Sequence, residues 1–210
     1  MLFRSNFTCG EGGALLLNTE VLCERAEVIR EKGTNRSQFF RGQVNKYEWV
    51  DVGSSFLPSD LLAAFLYAQL ELRESIQARR RHLWEAYFVG LQDWAQSNRV
   101  YLPYVPAHCE QAYHMFYLLF PSLEDRQAMI SHLRERGIQS VFHYLPLHSS
   151  PMGRAQGEPP DSCPVTTEVS DRLLRLPFFN TLTDESLVTV IEAVKEFRCT
   201  PSRQESLQCV

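Results

Sequence analysis

Hydrophobic positions along this chain change their spacing four times, and each change marks a boundary between elements. The run Ala14-Leu15-Leu16-Leu17 follows the glycine-rich turn Gly10-Glu11-Gly12-Gly13, and its unbroken apolar character predicts a buried strand. Asn18-Thr19-Glu20 then offers an N-cap and a first-turn acid for a helix carrying Leu22, Ala26 and Ile29 on one face, and Gly33 ends it. From Thr34 to Pro58 the periodicity vanishes. That stretch still holds Arg36, Phe39, Phe40, Arg41, Lys46, Tyr47 and Trp49, a mixture of cations and aromatic rings that more often binds something than merely connects.

A second regime begins at Pro58-Ser59-Asp60, where Leu62, Phe65, Leu72, Ile76, Leu83, Tyr87, Leu91 and Trp94 recur at threes and fours or their sums. One unbroken helix from Ser59 to Trp94 would be about 54 Å long at 1.5 Å per residue, enough to bridge two domains; two ordinary helices meeting near Gln77 are the alternative. Beyond Asn98, short strands alternate with helices, and prolines mark the turns between them. Tyr113 to Phe120 reads as a strand, and Ser122 with Glu124 and Asp125 opens a helix that Gly137 stops. Ser140 to Leu145 reads as a strand. A last helix starts at Thr183, with Leu182 and Leu187 placed as a hydrophobic staple, and runs to about Phe197. The expected organisation is therefore residues 1–58, a linking helix 59–95, a compact α/β unit 96–198, and a disordered tail 199–210.

Composition narrows the class. The chain is 44% hydrophobic and 22% charged, as expected of a soluble globular protein, and its net charge of −4 gives no electrostatic reason to expect nucleic acid. The cluster Arg79-Arg80-Arg81-His82 lies inside a helical pattern and reads as a solvated face. Six cysteines without a C-x-x-C pair point to reduced thiols and a cytoplasmic location. No apolar run is long enough for a membrane span. His143 and His148 flank Pro146, so they cannot share a helix face as a zinc pair would. Nucleophile-elbow, Walker and dinucleotide glycine motifs are absent from the sequence.

The segment Asn6-Phe7-Thr8-Cys9-Gly10-Glu11-Gly12-Gly13-Ala14 resembles the stretch following the Schiff-base lysine in the DegT and StrS sugar-nucleotide aminotransferases. Further matches follow in family order: Arg30 to Arg36, Val52-Gly53-Ser54-Ser55-Phe56, Tyr144-Leu145-Pro146-Leu147-His148 and Arg175-Leu176-Pro177-Phe178-Phe179. The resemblance implies an α/β chain forming the C-terminal part of a fold-type I pyridoxal-phosphate transferase: the end of the large domain, the linking helix and the small domain. Gln38-Phe39-Phe40-Arg41-Gly42, Lys46-Tyr47, Trp49 and Gly53-Ser54-Ser55-Phe56 are similar to the dTDP-4-amino-4,6-dideoxygalactose transaminases. By that likeness the cofactor is pyridoxal 5'-phosphate, the substrates are a dTDP-sugar and glutamate, and the active site lies between two subunits of a homodimer.

The same resemblance assigns roles. Ser55 stands where most relatives send an asparagine to the cofactor phosphate, and Leu57 replaces a family arginine. Arg41 and Lys46 are expected at the nucleotide diphosphate, while His143, Tyr144 and His148 line the sugar pocket. The catalytic lysine holds the cofactor as an imine and then moves the proton as a free amine. Its family position is Ser5, whose hydroxyl does neither. The only lysines are Lys32, Lys46 and Lys195. The competing expectation is thus a catalytically inactive C-terminal fragment, with an open strand edge near Ala14 to Leu17 and poor solubility.

Overall fold

The structure is a computed structural model that describes residues 6–159 and 161–200. Ser5 and the tail beyond Thr200, on which two of the sequence expectations rest, lie outside the described residues. The chain forms two compact units, one from Phe7 to Arg73 and the other from Asn6 together with Glu74 onward.

The first unit contains a 3-10 turn at Glu20–Leu22, α1 (Cys23–Arg30), α2 (Arg36–Phe40) and α3 (Asp60–Glu71). Thr19 precedes the turn without a side-chain cap bond, so the expected N-cap is not made. Ala14 to Leu17 forms no strand, and Leu16 is 88% exposed. A strand persists only with a ladder partner, and no described segment pairs with this one. The order in this unit comes from backbone packed on backbone. Gly33, at a φ of 78°, donates to Val28 O at 2.9 Å and accepts from Val50 and Asp51 at 2.8 and 3.0 Å. A Cβ on Gly33 would collide with the carbonyl of Asp51, and one on Gly53 would collide with the backbone of Gly33. These two glycines lay residues 49–56 against the end of α1, with bridges Thr34 to Trp49 and Glu31 to Ser55. The aperiodic stretch after Gly33 therefore contains a short helix, α2, and two bridges.

The periodic segment from Ser59 onward forms two helices. Ser59 caps α3 by accepting from Leu62 N, and α3 closes at Leu72, which donates to Gln69 O; α4 then runs from Arg73 to Asn98. The interruption falls at Leu72, in place of Gln77, and the single helix from 59 to 95 does not form.

In the second unit α4 is followed by β1 (Tyr117–Leu119), α5 (Leu123–Glu135), β2 (Val141–Phe142), α6 (Pro151–Ala155), α7 (Pro164–Arg172), β3 (Leu173–Arg175) and α8 (Asp184–Lys195). The sheet is antiparallel in the order β1-β3-β2, with Arg175 opposite both Tyr117 and Val141, and Leu174 opposite both Leu118 and Phe142. Side chains alternate across a sheet, so Leu118 and Leu174 share the core face while Tyr117, Arg175 and Val141 share the other. Leu118 and Leu174 are fully buried, whereas the opposite three are half-buried. α4 contributes a stripe of Leu83, Trp84, Tyr87, Leu91, Trp94 and Ala95 to the core, which α5 and α8 complete through Met129, Leu133, Val190 and Val194. Tyr87 donates to Pro177 O and Trp94 to Phe197 O, each at 2.8 Å, so both large rings satisfy their polar atoms inside the core. The staple is present: Thr183 accepts from Ser186 N while Leu182 and Leu187 are buried across the first turn of α8. The strands expected over 113–120 and 140–145 shorten to the residues that find partners on β3.

The basic cluster is not a solvated face throughout. Arg80 is 4% exposed; it donates to Tyr113 O at 2.8 Å, His114 O at 2.6 Å and Asn180 Oδ1 at 3.1 Å, and lies over the Phe178 ring. Arg79 and His82 instead meet Asp184 at the start of α8. Among the described residues no helix is long and apolar enough to cross a membrane.

Candidate functional site

In the first unit the sequence candidates are Ser55, Arg41 and Lys46. Ser55 is exposed, and its backbone is held by the bridge to Glu31, with Phe56 N donating to Arg30 O at 3.1 Å just beyond it. That leaves its hydroxyl open to solvent. Arg41, at the end of α2, grips Glu27 of α1 with both guanidinium nitrogens at 2.8 and 3.0 Å, and its Nε donates to Gln43 at 3.2 Å. The hydrogen bond from Arg41 holds the Glu27 carboxyl below the usual carboxylate range, and the same bond raises Arg41. Its fork is already engaged, so a phosphate would have to displace or share with Glu27. Lys46 is exposed in the following turn. Around them Phe39 meets Phe40 and Tyr47 edge-to-face at 5.8 and 5.7 Å, and Arg36 lies over Phe40.

A cavity of this unit, about 920 Å³, includes none of these three candidates. It is walled by Leu15, Leu22, Phe56 and Leu57, with Arg25 and Arg30 at its margin. Such a lining suits an apolar packing surface better than a polar substrate.

In the second unit the loop after β2 carries His143, Tyr144 and His148. Ser170 of α7 donates to Tyr144 O at 2.9 Å, which pins this loop to the helix. The His143 and Tyr144 rings meet edge-to-face at 5.4 Å. His143 Nδ1 is buried with no hydrogen-bond partner, and burial, followed by the charge of Arg175 and by His114, holds its pKa below the usual histidine value. His148 is set apart, its Nε2 3.2 Å from the Thr167 hydroxyl on α7.

The register brings two further groups to this place. Arg175, the last residue of the central strand β3, lies with its guanidinium carbon 5.7 Å from the Tyr144 ring centre. His114, just before β1, is depressed by burial, then by Arg80 and Arg175. In the sequence Arg175 is marked only by its place in a family motif, and no motif marks His114. The available signal was a lone arginine among Leu173, Leu174 and Leu176, where a strand needs one polar face.

Covalent attachment of pyridoxal phosphate requires a lysine amine facing a cavity. Lys32 and Lys46 are exposed, and Lys195 is paired with Glu192 on α8 at 2.9 Å. None of the three fits that requirement, and Ser5 lies outside the described residues.

Comparison with known proteins sets these arrangements in a class. The structure matches the crystal structure of S. venezuelae DesV in complex with a ketimine intermediate at a TM-score of 0.72, with 26% identity, over 86% of this chain and 45% of the other. The fold is thus the mixed α/β one of the sugar aminotransferases. The family model of the DegT/DnrJ/EryC1/StrS aminotransferases matches residues 4–195, and the chain belongs to that family. Among curated relatives it is 30% identical to the erythromycin biosynthesis sensory transduction protein EryC1 of Saccharopolyspora erythraea, over 89% of this chain and 47% of that protein. It is 29% identical to the dTDP-3-amino-3,4,6-trideoxy-alpha-D-glucose transaminase of Streptomyces venezuelae, over 91% of this chain and 47% of that enzyme. The chain therefore spans about half the length of the curated relatives it matches.

Proposed function

We propose that this chain carries the substrate side of a pyridoxal-phosphate-dependent sugar-nucleotide aminotransferase. In the intact enzyme, a cytoplasmic homodimer, an amino group from glutamate would pass to C4 of dTDP-4-keto-6-deoxyglucose, giving dTDP-4-amino-4,6-dideoxygalactose. The observation that carries this reading is the family match over residues 4–195, which spans every candidate residue of both units. The choice of sugar rests on Gln38 to Gly42, Lys46-Tyr47, Trp49 and the Gly53-Ser54-Ser55-Phe56 run. In this reading Ser55 donates to the cofactor phosphate, Arg41 and Lys46 meet the diphosphate, and His143, Tyr144 and His148 bound the sugar.

A second reading is favoured by one specific observation. No described lysine is placed to hold the cofactor, so the 210-residue chain by itself is a catalytically inactive fragment of that enzyme. Incubation with pyridoxal phosphate, borohydride reduction and peptide mapping test this second reading. The expected result is no stoichiometric adduct on Lys32, Lys46 or Lys195. A single full adduct on one of them would reject the inactive-fragment reading.

A further inference from the structure

The half-exposed face of the sheet collects nitrogen-bearing side chains, and among the described residues the charges that act on its two histidines are those of arginines and, on His143, of His114, not of an acid. Arg175 sits at its centre between Tyr117 and Val141, with Nε buried and unpartnered and one terminal nitrogen 3.4 Å from Phe142 O. His143 follows β2 with a buried, unpartnered Nδ1, and His114 precedes β1 with its ring exposed. Buried Arg80 adds its charge from beneath, since it binds the backbone carbonyls of Tyr113 and His114. Neither Arg80 nor Arg175 takes part in an ion pair among the described residues.

A buried guanidinium N–H at Arg175 and a buried ring nitrogen at His143, both without a partner, are costly unless a ligand supplies hydrogen-bonding atoms; an oxyanion is met by the guanidinium and by the Nδ1–H tautomer of His143. A planar guanidinium at such a place matches the tetrahedral oxygens of a phosphate, which accept from several directions at once, better than it matches a neutral sugar hydroxyl. We infer that Arg175, His143 and His114 form an oxyanion subsite on this sheet face that takes a phosphate or diphosphate group. Tyr144, whose ring bridges His143 and Arg175, forms its rim. The subsite rests on the sheet geometry alone; assigning it to the diphosphate of a sugar nucleotide rests on the aminotransferase reading above and revises it in one respect, moving the diphosphate from Arg41, whose fork Glu27 already holds, to Arg175, with His143 and Tyr144 where diphosphate and sugar join.

The test follows histidine ring signals by NMR while the 210-residue chain is titrated with inorganic pyrophosphate at constant ionic strength. The His143 and His114 signals are expected to shift together and saturate. Arg175→Met is expected to weaken binding about tenfold, the effect of losing one charge-assisted fork. Arg175→Lys keeps the charge without the fork, is expected to weaken binding by a smaller factor, and decides the matter if a thermal melt shows Arg175→Met unfolded. Absence of saturable shifts at both histidines, or unchanged affinity in the folded variants, would overturn the subsite. Competition by dTDP, glutamate and pyridoxal phosphate then identifies the natural source. Displacement of pyrophosphate by dTDP at the lowest concentration supports the diphosphate, and stronger displacement by either other compound would overturn that assignment. Failure of dTDP to displace pyrophosphate would remove the sugar-nucleotide assignment and leave the saturable pyrophosphate shifts standing, so the subsite and the aminotransferase reading fail separately.

Discussion

Arg79, Arg80 and Arg81 are the same residue three times over, yet the fold treats them differently. Position 80 falls on the stripe of Leu83, Trp84, Tyr87, Leu91 and Trp94, so its guanidinium enters the core and replaces water with three protein oxygens. Burial lowers its pKa to about 10, which still leaves it charged at neutral pH. The helical register that places it there was legible in the sequence; the triplet of like charges hid it. His143 is the converse, a residue whose position was marked by its motif but whose environment was not. Burial, Arg175 and His114 hold its pKa below 6.5, so between the two values the unfolded chain binds a proton that the folded chain refuses. Stability contributed by this site is therefore full above 6.5 and falls as pH drops through that value. His143→Gln is expected to flatten the loss of stability between about pH 7.5 and about pH 5.5, measured by urea unfolding. An unchanged slope would show that His143 does not carry it.

At the scale of elements, the helices were readable because their caps and stripes are local. Ser59, Ser122 and Thr183 each accept from a backbone amide three residues on, as their types and positions predict. Strands were less readable because pairing is not local. Ala14 to Leu17 has strand composition and no partner, whereas Leu173 to Arg175, unremarked in sequence, became the central strand because β1 and β2 both pair with it. Gly33 and Gly53 show the same point with backbone alone. Their contact brings residues 49–56 onto α1 and sets the position of Ser55. Gly53→Ala forces this crossing apart, and the expected outcome is loss of the amide protection of Ser54 and Phe56, whose bonds to Ile29 and Arg30 depend on it. Hydrogen exchange measured at those two amides checks it; protection equal to the parent chain would mean that the crossing can relax.

Across the molecule, apolar burial is uneven. Val28 is the one buried apolar side chain among the described residues of the first unit, while the second holds a continuous core from Leu83 to Val194. Leu15, Leu16, Trp49, Phe56, Leu61 and Phe65 of the first unit are exposed. Burial of apolar surface is the main favourable contribution to folding, so the two units are expected to differ widely in local stability. Amides of α4, α5 and α8 should exchange only through global unfolding and those of residues 7–73 far sooner, with dye binding to the exposed side chains; equal protection in both units would contradict this. The sequence by itself determined the family, the mixed α/β class, the caps and the amphipathic stripe of α4, since these depend on residue type and short-range spacing. Only the tertiary structure decided that Ala14 to Leu17 stays unpaired, that Arg80 is buried, and that Arg175 meets His143, Tyr144 and His114. Those outcomes depend on which distant segments supply a strand partner, a carbonyl or a ring, and such pairings between residues far apart in sequence leave no periodic trace along the chain.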